Sequence, residues 1–579
     1  GAEDHSLATP LDLVVSGDGS TLYVAAFGSG VVGVIPTAAL EAGTFDPEVA
    51  SAGYVPVTGG GPAGLALDDR RGVLFVYTRF DDGVSVVDTT LGQETAHLRL
   101  HSPEPAPIVD GRPVLYDARA TSSNGEASCA SCHVFGDLDQ LAWDLGNPDD
   151  NVTQSPIQIL LGIAGSVFPT PINGTGRVQD FHPMKGPMTT QTLRGLVNSG
   201  AQHWRGDRAT GFFGTAAADS NLAFRNFIVA YSGLVGRATN ITPAEMQQFA
   251  DFALAITLPP NPNRRLDNSL TPSEQRGHDF YSGPRLADGA PGFGFTCEGC
   301  HRLDPASGFF GTGTKQSFEN ESQIIKVPHL RNLYQKVGMF GMPQVPFFEQ
   351  LDSSFQGDQI RGFGFTHDGS TDTLFRFFHA RVFSNNRSAG FDGGEAQRRD
   401  VEAFMMAFDS DLAPVVGQQV TLRSDNAAAA GPRIDLLIQR ARTSFVSKIL
   451  GGTSTECDLV AKVRVGDRVR GYFLDAQGRF VPDDKSPVLS DAELRQLARA
   501  EGSEVTYTAV PPGSGTRIGV DRDLDGQFDG GGSLTGPKPT GCSCQVGASP
   551  EAGRGVGLLA AGALVLTLAL RRRSRRRLS

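Results

Sequence analysis

Along the first hundred residues the apolar positions fall in short runs rich in β-branched residues, broken by acidic and glycine turns. Pro10-Leu11-Asp12-Leu13-Val14-Val15, then Asp18-Gly19, then Leu22-Tyr23-Val24, returns as Pro62-Ala63-Gly64-Leu65-Ala66-Leu67, Asp68-Asp69 and Leu74-Phe75-Val76. Pro62 follows Pro10, and Phe75 follows Tyr23, by the same 52 residues. Each copy closes on a further β-rich run, 31–35 and 84–88. Such runs predict hairpins, and a repeat of this length predicts propeller blades. A closed propeller needs at least four blades. Two copies therefore predict a partial propeller, or a β-rich subdomain packed on its neighbours.

From about 117 the pattern changes to helical spacing over 242–258, 271–281 and 395–408, separated by long glycine-rich loops. Thr242 with Glu245, and Thr271 with Glu274, are capping-box starts. From about 415 the chain is β-like again, at 419–422, 459–465, 469–474 and 505–509. This stretch ends in Asp521-Arg522-Asp523-Leu524-Asp525-Gly526-Gln527-Phe528-Asp529. Alternating aspartates with a glycine at the sharp turn suit a hard cation such as calcium, through Asp521, Asp523 and Asp525. The twelfth-position Glu of an EF-hand is missing, so a plain acidic turn is the other reading. After Cys542 and Cys544 come the apolar run 556–570 and an arginine cluster beginning at Arg571. That run is short for a spanning helix, and the arginines would hold the C-terminus on the cytoplasmic side.

The expected architecture is multidomain. A partial β-propeller-like segment (1–116) precedes two mainly α, cytochrome c-like haem domains (117–264 and 265–414). A β-rich domain with the acidic loop (415–535) and a tail (536–579) follow. Length agrees, because 579 residues exceed what one core supports. The net charge of −12 argues against a nucleic-acid partner, since phosphate binding needs a basic face. The seven cysteines are not spaced as a disulfide scaffold. The chain opens at Gly1 with no apolar run, as expected of a processed N-terminus or of a fragment.

Four of those cysteines carry the chemistry. Cys129-Ala130-Ser131-Cys132-His133 and Cys297-Glu298-Gly299-Cys300-His301 both read Cys-x-x-Cys-His. One helical turn separates the thiols, which matches the two vinyl groups on one porphyrin edge, and the histidine binds iron from the proximal side. A zinc ribbon wants its cysteine pairs much closer together, and a redox Cys-x-x-Cys explains neither histidine. Two covalently bound haem c groups are expected, held by Cys129, Cys132, His133, Cys297, Cys300 and His301. Such attachment occurs outside the cytoplasm, in the periplasm or at the cell surface.

The order of segments around both motifs resembles the bacterial di-haem cytochrome c peroxidase superfamily, over roughly 117–414. The matching residues are His182-Pro183-Met184-Lys185-Gly186-Pro187, Thr192-Leu193 and His203-Trp204-Arg205-Gly206-Asp207-Arg208-Ala209. In the second half they are Lys326-Val327-Pro328-His329-Leu330-Arg331-Asn332 and His367-Asp368-Gly369. The resemblance implies that His182 is the displaceable distal ligand of haem one. It implies that Trp204 carries electrons between the haems and that haem two receives them. The donor would be a small redox protein or a quinone-linked one, and the oxidant hydrogen peroxide. Two departures stand out. The glutamate that this family places after the bridging tryptophan has no counterpart in 221–227, which leaves Asp207 or His203 as substitute proton donor. Arg381 stands where the family has the distal ligand of haem two, so Met339 and His379 are both candidates for that position. The repeats also resemble bacterial surface-layer β-propellers. The tail looks like myxobacterial C-terminal sorting signals, implying anchoring at the cell surface; a simple membrane tail anchor is the other reading.

Overall fold

In the computed structural model the described residues are 2–146, 149, 151, 153–154, 180–181, 186–199, 202–206, 219–288, 294–311, 316–317, 325–338, 363–386, 388–465, 468–484, 486–500 and 502–531. The repeated β pattern forms two antiparallel four-stranded sheets. The first runs in the order β1 (Pro10–Val15), β2 (Thr21–Ala26), β3 (Val31–Pro36), β4 (Val55–Pro56). The second follows as β5 (Pro62–Asp68), β6 (Val73–Thr78), β7 (Gly83–Asp88), β8 (Gln93–Arg99). The repeat extends to register: a shift follows the first paired residue of both β1 and β5. Tyr23, Val32, Leu74, Val76 and Val87 form a shared core, so each sheet covers an apolar face of the other.

Two helix pairs follow, one in each half of the central region. Helix α1 (Ala106–Tyr116) packs on α2 (Pro243–Ala255), and α3 (Pro272–Tyr281) packs on α4 (Gly394–Met406). Both crossings are made by glycine. A Cβ at Gly111 would overlap Phe252 and the Gln248 carbonyl; one at Gly277 would overlap the Asp400 carbonyl and crowd Phe404. Each motif comes shortly after the first helix of its pair. Helix α1 lies before the sequence-derived boundary at 117, yet Leu115 and Tyr116 belong to the core that contains Phe249 and Phe252. Phe27 and Phe80 from the sheets join that core, with Phe27 edge-on to Tyr116 at 5.0 Å.

The last region is a mixed unit. Strands β9 (Gln419–Leu422), β10 (Asp458–Val465), β11 (Arg468–Leu474), β12 (Phe480–Pro482) and β13 (Glu504–Val510) form one sheet, ordered β9-β13-β10-β11-β12. Helix α5 (Ala427–Arg440) contributes Ala430, Ile434 and Leu437 to its core. Gly1–Gly531 make one compact unit. No helix among the described residues is long and apolar enough to cross a membrane, and the tail from 532 onward, with Cys542 and Cys544, lies outside them.

Candidate haem-attachment sites

Both motifs are built as single helical turns capped by the preceding hydroxyl residue. Ser128 accepts from the Ala130 N–H, and the Ser131 hydroxyl accepts from Ser128 in return. Thr296 accepts from the Gly299 N–H at 2.9 Å. These caps fix the turn that puts the two thiols of each motif on one side. Cys129 packs against the α1–α2 core and Cys297 against the α3–α4 core. Burial pushes Cys129 up to about 11 and Cys297 to about 12. Thiols held neutral in this way are poor disulfide-exchange groups, which need thiolate. Among the described residues the two cysteine pairs are not brought together as a metal site.

The two histidines differ. His301 has its Nδ1 3.1 Å from the Pro328 carbonyl oxygen and 3.3 Å from that of Gly311. Both partners only accept, so Nδ1 carries the proton and Nε2 keeps the lone pair that an iron requires. The buried Tyr281 hydroxyl donates to the His301 carbonyl. Nδ1 of His133 is buried with no hydrogen-bond partner at normal geometry. Burial lowers the basicity of His133, offset in part by nearby backbone at Asp137 and Gln191. Neutral imidazoles, half-buried thiols at the edge of apolar cores and a shared helical turn fit a covalently bound haem at each motif.

Between the motifs lies a hydrogen-bonded seam. Trp204, only 4% exposed, packs with Met188 and Ile325. Its indole N–H donates to the Thr189 carbonyl at 2.7 Å, and its own carbonyl accepts from the Lys326 N–H at 2.9 Å. The Leu193 N–H reaches the Gly136 carbonyl at 3.0 Å, just after the first motif, and Pro328 takes the proton of His301 just after Lys326. Trp204 is therefore a residue on a path of short covalent stretches and hydrogen bonds that joins one motif to the other. The Lys336 ammonium lies 5.4 Å from the indole centroid.

Sequence reasoning missed the charges on this seam. Arg331 is fully buried; it pairs with Asp411 at 2.7 Å, donates to Ser199 at 2.9 Å and to the Gly195 carbonyl, and covers the Phe310 ring. It ties the first half to the second. Lys326, 7% exposed, has no acidic partner among the described residues, and burial with Lys336 nearby brings it down to about 8. His329 stands where the resembled family has threonine. Burial, then Arg331, Lys336 and Lys326, push it well below the usual histidine range. The only available signal was the charged motif 326–332 itself.

His182, Asp207 and Met339 lie outside the described residues. His203 sits beside Trp204 in a left-handed turn (φ 68°), its ring edge-on to Phe227 at 6.2 Å. His379 has both nitrogens engaged: Nδ1 donates to the Phe375 carbonyl at 2.8 Å, and Nε2 lies 3.2 Å from each Glu395 oxygen. To bind iron, Nε2 would first have to leave Glu395. The carboxylate nearest to 221–227 is Asp219, which caps the helix Ser220–Arg225 by accepting from the Leu222 N–H. Asp521, Asp523 and Asp525 lie together, each offering an oxygen within 4.8 Å of the others.

No family model and no curated protein matches the chain. Among solved structures, hydrazine synthase of Kuenenia stuttgartiensis pressurised with 20 bar xenon is similar over 53% of this chain and 89% of its own, with 19% identity and a TM-score of 0.33. A second Kuenenia stuttgartiensis hydrazine synthase chain is similar over 15% of this chain and 22% of its own, with 27% identity and a TM-score of 0.12. A MauG-like protein associated with microbial copper homeostasis is similar over 53% and 90%, with 16% identity and a TM-score of 0.25.

Proposed function

We propose that the chain is a di-haem c-type cytochrome that moves electrons between two haems through Trp204 and reduces hydrogen peroxide, or a related oxidant, at the first. The observation that carries this reading is the seam from His133 to His301 through Leu193, Thr189, Trp204, Lys326 and Pro328. Bound haem supplies a redox-active iron at each end. The chain's own residues then set the chemistry. Pro328 holds the His301 proton on Nδ1, the caps Ser128 and Thr296 hold the thiols in place, and the apolar cores around Cys129 and Cys297 exclude water. In this reading His182 would be a reversible ligand of the first haem, and His203 or Asp207 would deliver the proton.

A non-catalytic carrier with both irons six-coordinate is the second reading. It is favoured by Asp219, the carboxylate closest to the expected acid position, being spent on a helix cap. One experiment separates the two: reduce only the high-potential haem of the purified holoprotein, add hydrogen peroxide and follow its loss. Rapid consumption with a high-spin haem one establishes the enzyme. No turnover with both haems low-spin in every redox state establishes the carrier. Trp204→Phe should slow interhaem electron transfer at least about tenfold; an unchanged rate removes Trp204 from the route.

A further inference from the structure

Outside the haem-attachment sites, the best-built unassigned cluster is the loop that leaves the C-terminal sheet. Asp521 is 5% exposed, and its Oδ1 is buried with no hydrogen-bond partner. Its Oδ2 accepts from the Gly526 N–H at 3.1 Å, so the loop curls back over the carboxylate. Asp523 and Asp525 bring an oxygen each to within 4.8 Å of it. Three clustered carboxylates, one of them buried with an unpartnered oxygen, form an arrangement that is unfavourable alone, because charge repulsion and desolvation add. A bound cation reverses both costs. Asp529 does not join them: Arg522 holds it, Nε to Oδ2 at 2.5 Å and N to Oδ1 at 3.0 Å.

We infer that Asp521, Asp523 and Asp525 bind one calcium ion, which fastens this loop to the C-terminal sheet. The donor set is all oxygen with no nitrogen or sulfur, which selects a hard cation over zinc or copper. The carboxylates come from alternate positions of an irregular loop with two exposed members, leaving room for water and uneven bond lengths. Calcium accepts this, whereas magnesium demands a tight octahedron. Both ends of the loop are already moored. The Lys462 ammonium donates to the Gly519 carbonyl at 3.0 Å, the Asp529 N–H to the Val520 carbonyl at 2.9 Å, and the Gly530 N–H to the Asp483 carbonyl at 2.5 Å. The ion closes the remaining span between these moorings. The inference is independent of what the haems do.

The test uses the full haem-loaded chain, stripped of metal on a chelating resin. Titration calorimetry with calcium chloride should show one strong site per chain, and the melting temperature should rise by at least about 3 °C at saturation. The same concentration of magnesium chloride should give less than half of that shift. Asp525→Asn, at an exposed position, should weaken calcium binding at least about tenfold. Asp521→Asn should abolish it while leaving the metal-free melting temperature equal or higher, because the uncompensated buried charge is gone. No calcium heat, or calcium binding of wild-type strength in both variants, overturns the site; if Asp521→Asn does not fold, Asp525→Asn alone decides.

Discussion

The two helix-pair regions share a plan yet differ at the atom that matters most. In both, a glycine lets two helices cross, a motif comes after the first helix, and the first cysteine of that motif packs on the resulting core. In the second, the histidine Nδ1 is tied to the Pro328 carbonyl and the backbone is tied again by Tyr281. In the first, the histidine Nδ1 has no bond of normal geometry, with only the nearby backbone of Asp137 and Gln191 acting on it. A histidine ligand whose proton is hydrogen-bonded is fixed in tautomer and orientation.

The largest test of whether these halves act as one is Arg331→Met. It leaves Asp411 charged and buried, and should cost about 3–5 kcal/mol in urea unfolding. Adding Asp411→Leu should restore the part due to the orphaned charge, leaving the loss of the Ser199 and Gly195 bonds between the halves. A single variant within about 1 kcal/mol of wild type would mean that Arg331, through Ser199 and the Gly195 carbonyl, does not hold the halves together. Next come Gly111→Ala and Gly277→Ala. Alanine ordinarily gains about 1 kcal/mol in a helix interior. Here the new methyl meets backbone carbonyls that cannot swing aside, so each should instead lose about 2 kcal/mol net. Equal losses in one cooperative transition would match a single compact unit; two separate transitions would show two independent modules.

A smaller effect belongs to the second half alone. Lys326 is brought down to about 8 from an ordinary lysine's 10.5. Between those values the unfolded chain holds more protons than the folded one, so stability should rise with pH, by about 1 kcal/mol from pH 8 to pH 9. Below pH 8 both states are protonated and the slope vanishes. Urea midpoints across this range should show the rise, and Lys326→Met should flatten it; a slope unchanged in the variant would assign it elsewhere. The smallest effect sharpens the contrast most directly. Tyr281→Phe removes the hydrogen bond donated to the His301 carbonyl and should cost about 1 kcal/mol, whereas Tyr231→Phe removes a buried hydroxyl whose contact is the weakly bonding Cys129 thiol and should cost clearly less. Equal costs by chemical denaturation would erase the difference between the two sites.

Local chemistry was legible in the sequence, and distant pairing was not. Thr242 with Glu245 and Thr271 with Glu274 are three residues apart, and both form the capping boxes expected of them. The strands expected at 419–422, 459–465, 469–474 and 505–509 are found to within a residue at either end, because turn residues and β-branched runs act over the same short range. Helix α1 escaped notice because Gly111 and Pro113 interrupt its pattern, and it forms through the core it shares with α2. Arg331 reaches Asp411, 80 residues on, and no periodicity carries such a partner. The helical turn of each motif follows from its own capping residue, while the difference between His133 and His301 depends on carbonyls supplied by remote loops.

The placement of Phe27, Phe80 and Tyr116 in one aromatic cluster has a consequence for how this chain can be divided. A cut at residue 117 would remove the helix whose Gly111 and Leu115 complete the core beside Cys129, and a cut at 105 would strip that core of both phenylalanines. Arg79 adds to the join, gripping Glu104 at 2.6 and 2.8 Å while its own carbonyl accepts from Arg112. The paired sheets and the first motif region thus share one core, and truncation on either side of α1 exposes apolar surface beside the first motif.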